Sequence, residues 1–232
     1  MNAVGFYRRN QDFTRPVAIR TGDWNGQAMN QQTNIDAIRA EIAAGAARLI
    51  AEDGIDYGSA KRKSARRILG DTRIRGDILP DNTQIEQEVR IYNQLFLAET
   101  QPARLLQLRQ IALQMMEQLE RFRPYLTGAV QNGTAGEHSD IHLQLFPDNA
   151  KEVAIFLLDQ RINFEVSETA HFNGHSGPIE TLSFMWRGEG IHLALYEADD
   201  LREGTKPAMA RKKATRAGTA AVRLLIAEGR AE

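Results

Sequence analysis

The chain has 232 residues, 29 lysines and arginines against 30 aspartates and glutamates, and no cysteine. A net charge of −1 makes the molecule as a whole no magnet for polyanions, and the missing thiols exclude disulfides, thiolate zinc sites and cysteine nucleophiles. The chain is long enough for a real core, and no apolar run nears the roughly 20 residues that span a bilayer, so a soluble, cytoplasmic protein without a membrane partner is expected.

Residues 1–28 show neither an apolar leader core nor a helical period. A flexible arm is expected there, with Met29 well placed to serve as an initiator. From residue 29 to 122 the pattern is helical. "TNIDAIRAEIAAGAARLIAEDG" puts Ile35, Ile38, Ile42, Ala46 and Leu49 at helical spacing from Thr33 and stops at Gly54. A short basic helix is predicted over about Ser59 to Leu69. The next helix carries Thr83-x-x-Glu86 as a capping box and a stripe of Ile85, Val89, Tyr92 and Leu95. "PARLLQLRQIALQMMEQLERF" is a long amphipathic helix with Pro102 in its first turn; its Met115 and Met116 read as core filler.

At Pro124 the period changes. "YLTGAV" reads as a strand, "QNGTAGEHS" as a loop and "DIHLQLF" as a second strand. "NAKEVAIFLLDQR" is a helix with Val153, Phe156 and Leu157 facing inward, and "INFEVSE" alternates again. After the loop "HFNGHSGP", the segments "IETLSFMW" and "GIHLALYE" form a hairpin about "RGEG". The predicted architecture is α+β: an arm over 1–28, a helical region over 29–122, a mixed sheet with flanking helices over 123–200, and a basic segment with a terminal helix over 201–232.

In "EHSDIHLQLF" strict alternation sends Asp140, His142 and Gln144 to one side and Ile141, Leu143 and Leu145 to the other. "IHLQLF" is nearly repeated at "IHLALY" (191–196), with a histidine at the same phase. If the two strands are neighbours, His142 and His192 face each other across the sheet. All five histidines lie between His138 and His192. His171 and His175 sit in a glycine-bearing loop, where their spacing lacks the helical context that would make them a metal pair. His138 reads as a surface residue.

The segment "LTGAVQNGTAGEHSDIHLQLF" resembles the signature of the nucleotidyltransferase superfamily, whose fold is shared by DNA polymerase β and the CCA-adding enzymes: a strand, a glycine turn, about ten residues, then a second strand opened by Ser-Asp-x-Asp. Thr127 and Gly128 stand at the turn, and Ser139 and Asp140 open the second strand. The resemblance spans Pro124 to Glu197, about a third of the chain. It implies a turn from Gly128 to Gly133 that holds nucleotide phosphates together with Thr127 and Ser139. It also implies carboxylates that bind two divalent ions.

Here His142 replaces the second aspartate, and His192 falls at the third carboxylate position, with Glu165 as the weaker candidate. Magnesium wants hard anionic oxygen ligands, whereas imidazole suits zinc and related ions better. Three readings of Asp140, His142 and His192 therefore stand open. They mark a non-catalytic family member that keeps a nucleotide or nucleic-acid pocket; or an altered site that binds magnesium, manganese or zinc or works by acid–base chemistry; or an ordinary polar sheet face.

Other classes lack their motifs: there is no G-x-x-x-x-G-K-[ST] and no G-x-S-x-G. A second hypothesis rests on "AARLIAEDGIDYGSAKRKSARRILG", which resembles the first helices of TetR-type regulators. In it Lys61, Arg62, Lys63, Arg66 and Arg67 offer phosphate contacts; a solvated helix face is the ordinary alternative. "KPAMARKKATR" (206–216) is a second basic run.

Overall fold

The structure is a computed structural model that describes residues 24–70, 76–169, 171, 177–203 and 216–229, except for the side chains of 24–32, 77, 202 and 203. His175 and most of the second basic run lie outside the described residues.

Three helices come first: α1 (Trp24–Asp53), α2 (Tyr57–Leu69) and α3 (Asn82–Phe96). The first begins at Trp24, so it extends into the stretch expected to be a flexible arm. Gly54 ends it with φ +65°, a left-handed conformation that glycine adopts at no steric cost. Asp56 caps α2 by accepting the Ser59 N–H. The capping box of α3 differs from the expected one. The Asp81 carboxylate accepts the Gln84 N–H, and the Gln84 side chain accepts the Asp81 N–H. Thr83 is thus already inside the first turn, and Glu86 pairs with Arg90 one turn on. The three helices share a small core of Ala43, Ala46, Ala47, Ala60, Ile85 and Val89, in which four alanines let the backbones approach closely.

The long helix α4 (Gln101–Gln118) lies in the helical stretch of the sequence but packs with the sheet region beyond it. Its Leu108, Ile111, Ala112, Met115 and Met116 enter the main core, confirming the two methionines as filler. Then come β1 (Tyr125–Thr127), α5 (Gly128–Asn132), β2 (Ile141–Leu145), α6 (Lys151–Asp159), β3 (Glu165–Thr169), β4 (Ile179–Trp186), β5 (Glu189–Leu195), α7 (Ala198–Glu203), β6 (Ala217–Gly218) and α8 (Thr219–Glu228). The strands form one mixed sheet in the order β3-β4-β5-β2-β1-β6. Among the described residues only β2 and β5 run parallel; the other pairs are antiparallel. The β4–β5 hairpin turns on Arg187 (φ 55°) and Gly188 (φ 85°), the two positive φ values of a tight type I′ turn.

One sheet face is dry. Leu126, Ile141, Leu143, Leu182, Ile191 and Leu193 meet α4, α6 and α8 there, with Val153, Leu157, Val222 and Ile226 fully or nearly buried. The fold is therefore α+β, as the patterning predicts. Within it α4 packs on the sheet rather than on the first three helices, and the C-terminal stretch supplies β6 to the sheet and α8 to its core.

Candidate functional site

Alternation along the strands puts every second residue on the other face of the sheet, which no described helix covers centrally. Register lines these residues up in rows. Thr127 pairs with His142, His142 with His192, His192 with Ser183, and Ser183 with Glu165. The next row holds Gln144, Ala194, Thr181 and Ser167, and a third brings Ile179 opposite Thr169. Of these rows, all but Glu165 and Ile179 line, with Gly128 and Tyr196, an open groove of about 490 Å³. At one end Phe146, Ile179 and Tyr196 pack together under Leu201 of α7. There the buried His171 lies 3.2 Å from Asp200 and edge-on to Tyr196.

The strand echo has become a physical neighbour pair. The imidazoles of His142 and His192 stack with centroids 4.7 Å apart and planes 16° off parallel. His192 Nε2 lies 3.1 Å from Asp140 Oδ2, and its Nδ1 lies 2.8 Å from Ser183 Oγ. An ionised carboxylate only accepts, so Nε2 carries the proton. In the neutral imidazole Nδ1 is then the acceptor, and the Ser183 hydroxyl donates to it. The result is a continuous Asp140–His192–Ser183 relay, with His192 and Ser183 on the groove floor and Asp140 beyond its edge, in which Nδ1 can take a hydroxyl proton and Asp140 can stabilise the cation that forms.

Crowding by protein atoms disfavours charge on His142, so its pKa falls below the usual histidine value; a cationic His192 pushes the same way, and Asp140 opposes both. His142 is therefore uncharged at neutral pH.

Gly190 is what lets Asp140 reach this place. A Cβ there would stand 2.3 Å from Asp140 Oδ1, so any larger residue evicts the carboxylate. The signal was in the echo, where "EGIH" has glycine at the position that "SDIH" gives to aspartate. Ser183, Thr181 and Ala194 were likewise legible only as alternation in their strands.

The remaining candidates scatter. Thr127 lines the groove, donating its hydroxyl to the His142 carbonyl, and Gly128 beside it has φ +70°. The segment after Gly128 is not an open phosphate turn, because residues 128–132 wind into α5. Gly133 ends that helix facing the helical region: its carbonyl accepts from Gln101 Nε2 at 3.1 Å, and its N–H bonds the Ala129 carbonyl. Ser139 Oγ accepts the Gly136 N–H and does not reach the groove. His138 is exposed, as expected, and Glu165 lies on the exposed edge strand β3, two strands from His192.

A two-metal carboxylate centre does not fit this donor set. Both ring nitrogens of His192 already hold protein partners, the two imidazoles are stacked instead of converging, and no three His, Asp or Glu side chains among the described residues gather as a metal site.

On α2 the buried side is Ala60, Ser64 and Ala65, and Arg62, Lys63, Arg66 and Arg67 are exposed. Lys61 is half-buried and reaches Asn82. No helix among the described residues is long and apolar enough to cross a membrane. Comparison of the chain with family models, with curated proteins and with solved structures finds no match in any of the three.

Proposed function

We propose that the chain is a divergent nucleotidyltransferase-fold protein that binds a nucleotide in the open-face groove, with nucleotidyl transfer lost or altered. The observation that supports this reading is the register row Thr127–His142–His192, with Gly128 directly after β1, at the two strand positions where the superfamily resemblance asks for carboxylates. Two imidazoles supply none of the fixed negative charge that holds magnesium. The chemistry these residues support is proton transfer. An acceptor hydroxyl that displaces Ser183 from Nδ1 would give its proton to His192 as its oxygen bonds to the α-phosphorus of the nucleoside triphosphate and pyrophosphate leaves, and Asp140 would hold the imidazolium.

The test is a thermal-shift screen of nucleoside triphosphates, each with magnesium, manganese or zinc, on the wild type and on Asp140→Ala. A ligand at a hundred times its Kd stabilises the folded state by about 2.7 kcal/mol. A clear rise in Tm that Asp140→Ala diminishes supports the reading. No rise with any combination overturns it.

A second reading is favoured by the one-sided basic face of α2, whose exposed cations can contact a phosphate backbone. RNA or DNA binding would then weaken steeply with salt and fail when Arg62, Lys63, Arg66 and Arg67 are changed together to alanine. Absence of retention on either nucleic acid at low salt rules it out.

A further inference from the structure

The groove has a second chemical feature, two residues along the strands from the histidine pair. Gln144 is only 7% exposed, lines the groove, and its side-chain Oε1 has no hydrogen-bond partner. Its amide bonds the Tyr196 hydroxyl, which holds the group in place and leaves the carbonyl oxygen as the unused end. A buried acceptor without a donor costs free energy in the empty protein, and a ligand N–H would recover it.

The surroundings say what kind of ligand fits. Gln144 lies directly across from Ala194, whose other neighbour is Thr181. Ala194 is the smallest side chain of its row, so the floor dips there. Along β5 the dip is bounded by His192, stacked with His142, and by Tyr196, stacked on Phe146 with centroids 5.5 Å apart. Four residues of strand separate those ring walls, about 13 Å. No lysine, arginine, aspartate or glutamate among the described residues lines the groove. Charges stand behind the walls, Asp140 on His192 and Arg216 over the Phe146 ring. A small-floored slot between aromatic rings, lined by one fixed acceptor and hydroxyls, suits a neutral planar heterocycle with an N–H donor, not a phosphate.

We infer that Gln144 and Ala194 form a nucleobase subsite in which Gln144 Oε1 accepts a base N–H over Ala194, leaving the sugar-phosphate end toward His142 and Gly128. This rests on the nucleotide reading of the groove, and it adds the ligand's orientation and the part of it that is recognised.

The test uses ligand-observed NMR titrations with adenosine, cytidine and ribose 5-phosphate, beside the triphosphate thermal shifts. In the wild type, saturation transfer should be strongest on base protons, and ribose 5-phosphate should bind at least tenfold more weakly than the nucleosides. Gln144→Leu should weaken nucleoside binding about five- to tenfold, the scale of one lost buried hydrogen bond, and leave ribose 5-phosphate unchanged. Ala194→Val, which raises the floor on the other side of the same contact, should do the same, so that one poorly folding variant does not decide the outcome. Triphosphate shifts that survive both substitutions undiminished overturn this subsite and leave the groove reading standing. Ribose 5-phosphate binding as well as the nucleosides also overturns it. Absence of any shift or transfer removes both.

Discussion

The two faces of one sheet divide the work of this protein, although neighbouring residues on the same strands build both. On β2, His142 is open to solvent and Leu143 is 1% exposed; on β5, His192 keeps part of its surface and Leu193 keeps none. On β4, Leu182 is buried beside the half-exposed Ser183. The backbone geometry is shared, so the difference comes from what lies above each face. Helices α4, α6 and α8 exclude water on one side, and no described helix spans the centre of the other. Stability is thereby concentrated on one face, and the opposite face is left to carry polar groups whose partners are few and specific.

The sharpest way to break this comparison is to truncate neighbours of opposite parity. Leu193→Ala should cost about 2–5 kcal/mol in denaturant unfolding through lost burial and a residual cavity. His192→Ala, one residue away, should stay within about 1 kcal/mol. Equal losses would show that the groove face is a second core and not a site.

A smaller effect is expected along residues 132–135, which α4 and the helices α2 and α3 grip together. Gln101 Nε2 donates to the carbonyls of Gly133 and Ala135, at 3.1 and 2.8 Å. Asn93, Tyr57 and Arg90 contact residues 132–134 of the same segment. Gln101→Ala orphans two part-buried carbonyls and should cost about 1–3 kcal/mol, with hydrogen exchange quickening along 132–135 while the central strands keep their protection. Unchanged exchange there would mean that this seam is held by packing alone.

The pH response separates the faces again, because leucines do not titrate. The pKa of His142 is lowered in the folded state by crowding, so the unfolded chain binds its proton more readily. Its contribution is therefore fully present above the unfolded value near 6.5 and is lost as pH falls below that through the lower folded value. His142→Gln should flatten the stability profile below about pH 6.5. A wild-type profile already flat from pH 7 to 5 would contradict the assignment.

The smallest effect on stability is expected from Gly190→Ala. The added methyl displaces a carboxylate that is half-exposed and free to turn outward, so the unfolding free energy should move by less than about 1 kcal/mol. The relay should nevertheless be broken. In NMR spectra at one pH the His192 ring protons of Gly190→Ala should resonate where they do in Asp140→Asn, and wild-type positions in Gly190→Ala would show that Asp140 does not depend on the missing side chain.

The sequence by itself determined what is periodic. The switch from helical to alternating pattern at Pro124, the polar phase of Asp140, His142 and Gln144, and the duplicate strand at 191–196 all survive in the fold, because amphipathic period and burial are the same physical fact seen twice. Short elements escaped: α5, α7 and β6 are five, six and two residues long, too brief to show a period, and contacts with β1, α4 and the groove end hold them in place. The partner of α4 escaped too, since an amphipathic pattern shows that α4 buries a face but not what covers it. Tertiary structure alone decided that β2 and β5 are parallel neighbours in register, that Ser183 completes a relay with His192, and that the loop from Gly133 to Ser139 serves the helical seam instead of the groove. Each of these is a pairing between residues far apart in the chain, and pairing is settled by which strands and helices can cover one another's apolar faces.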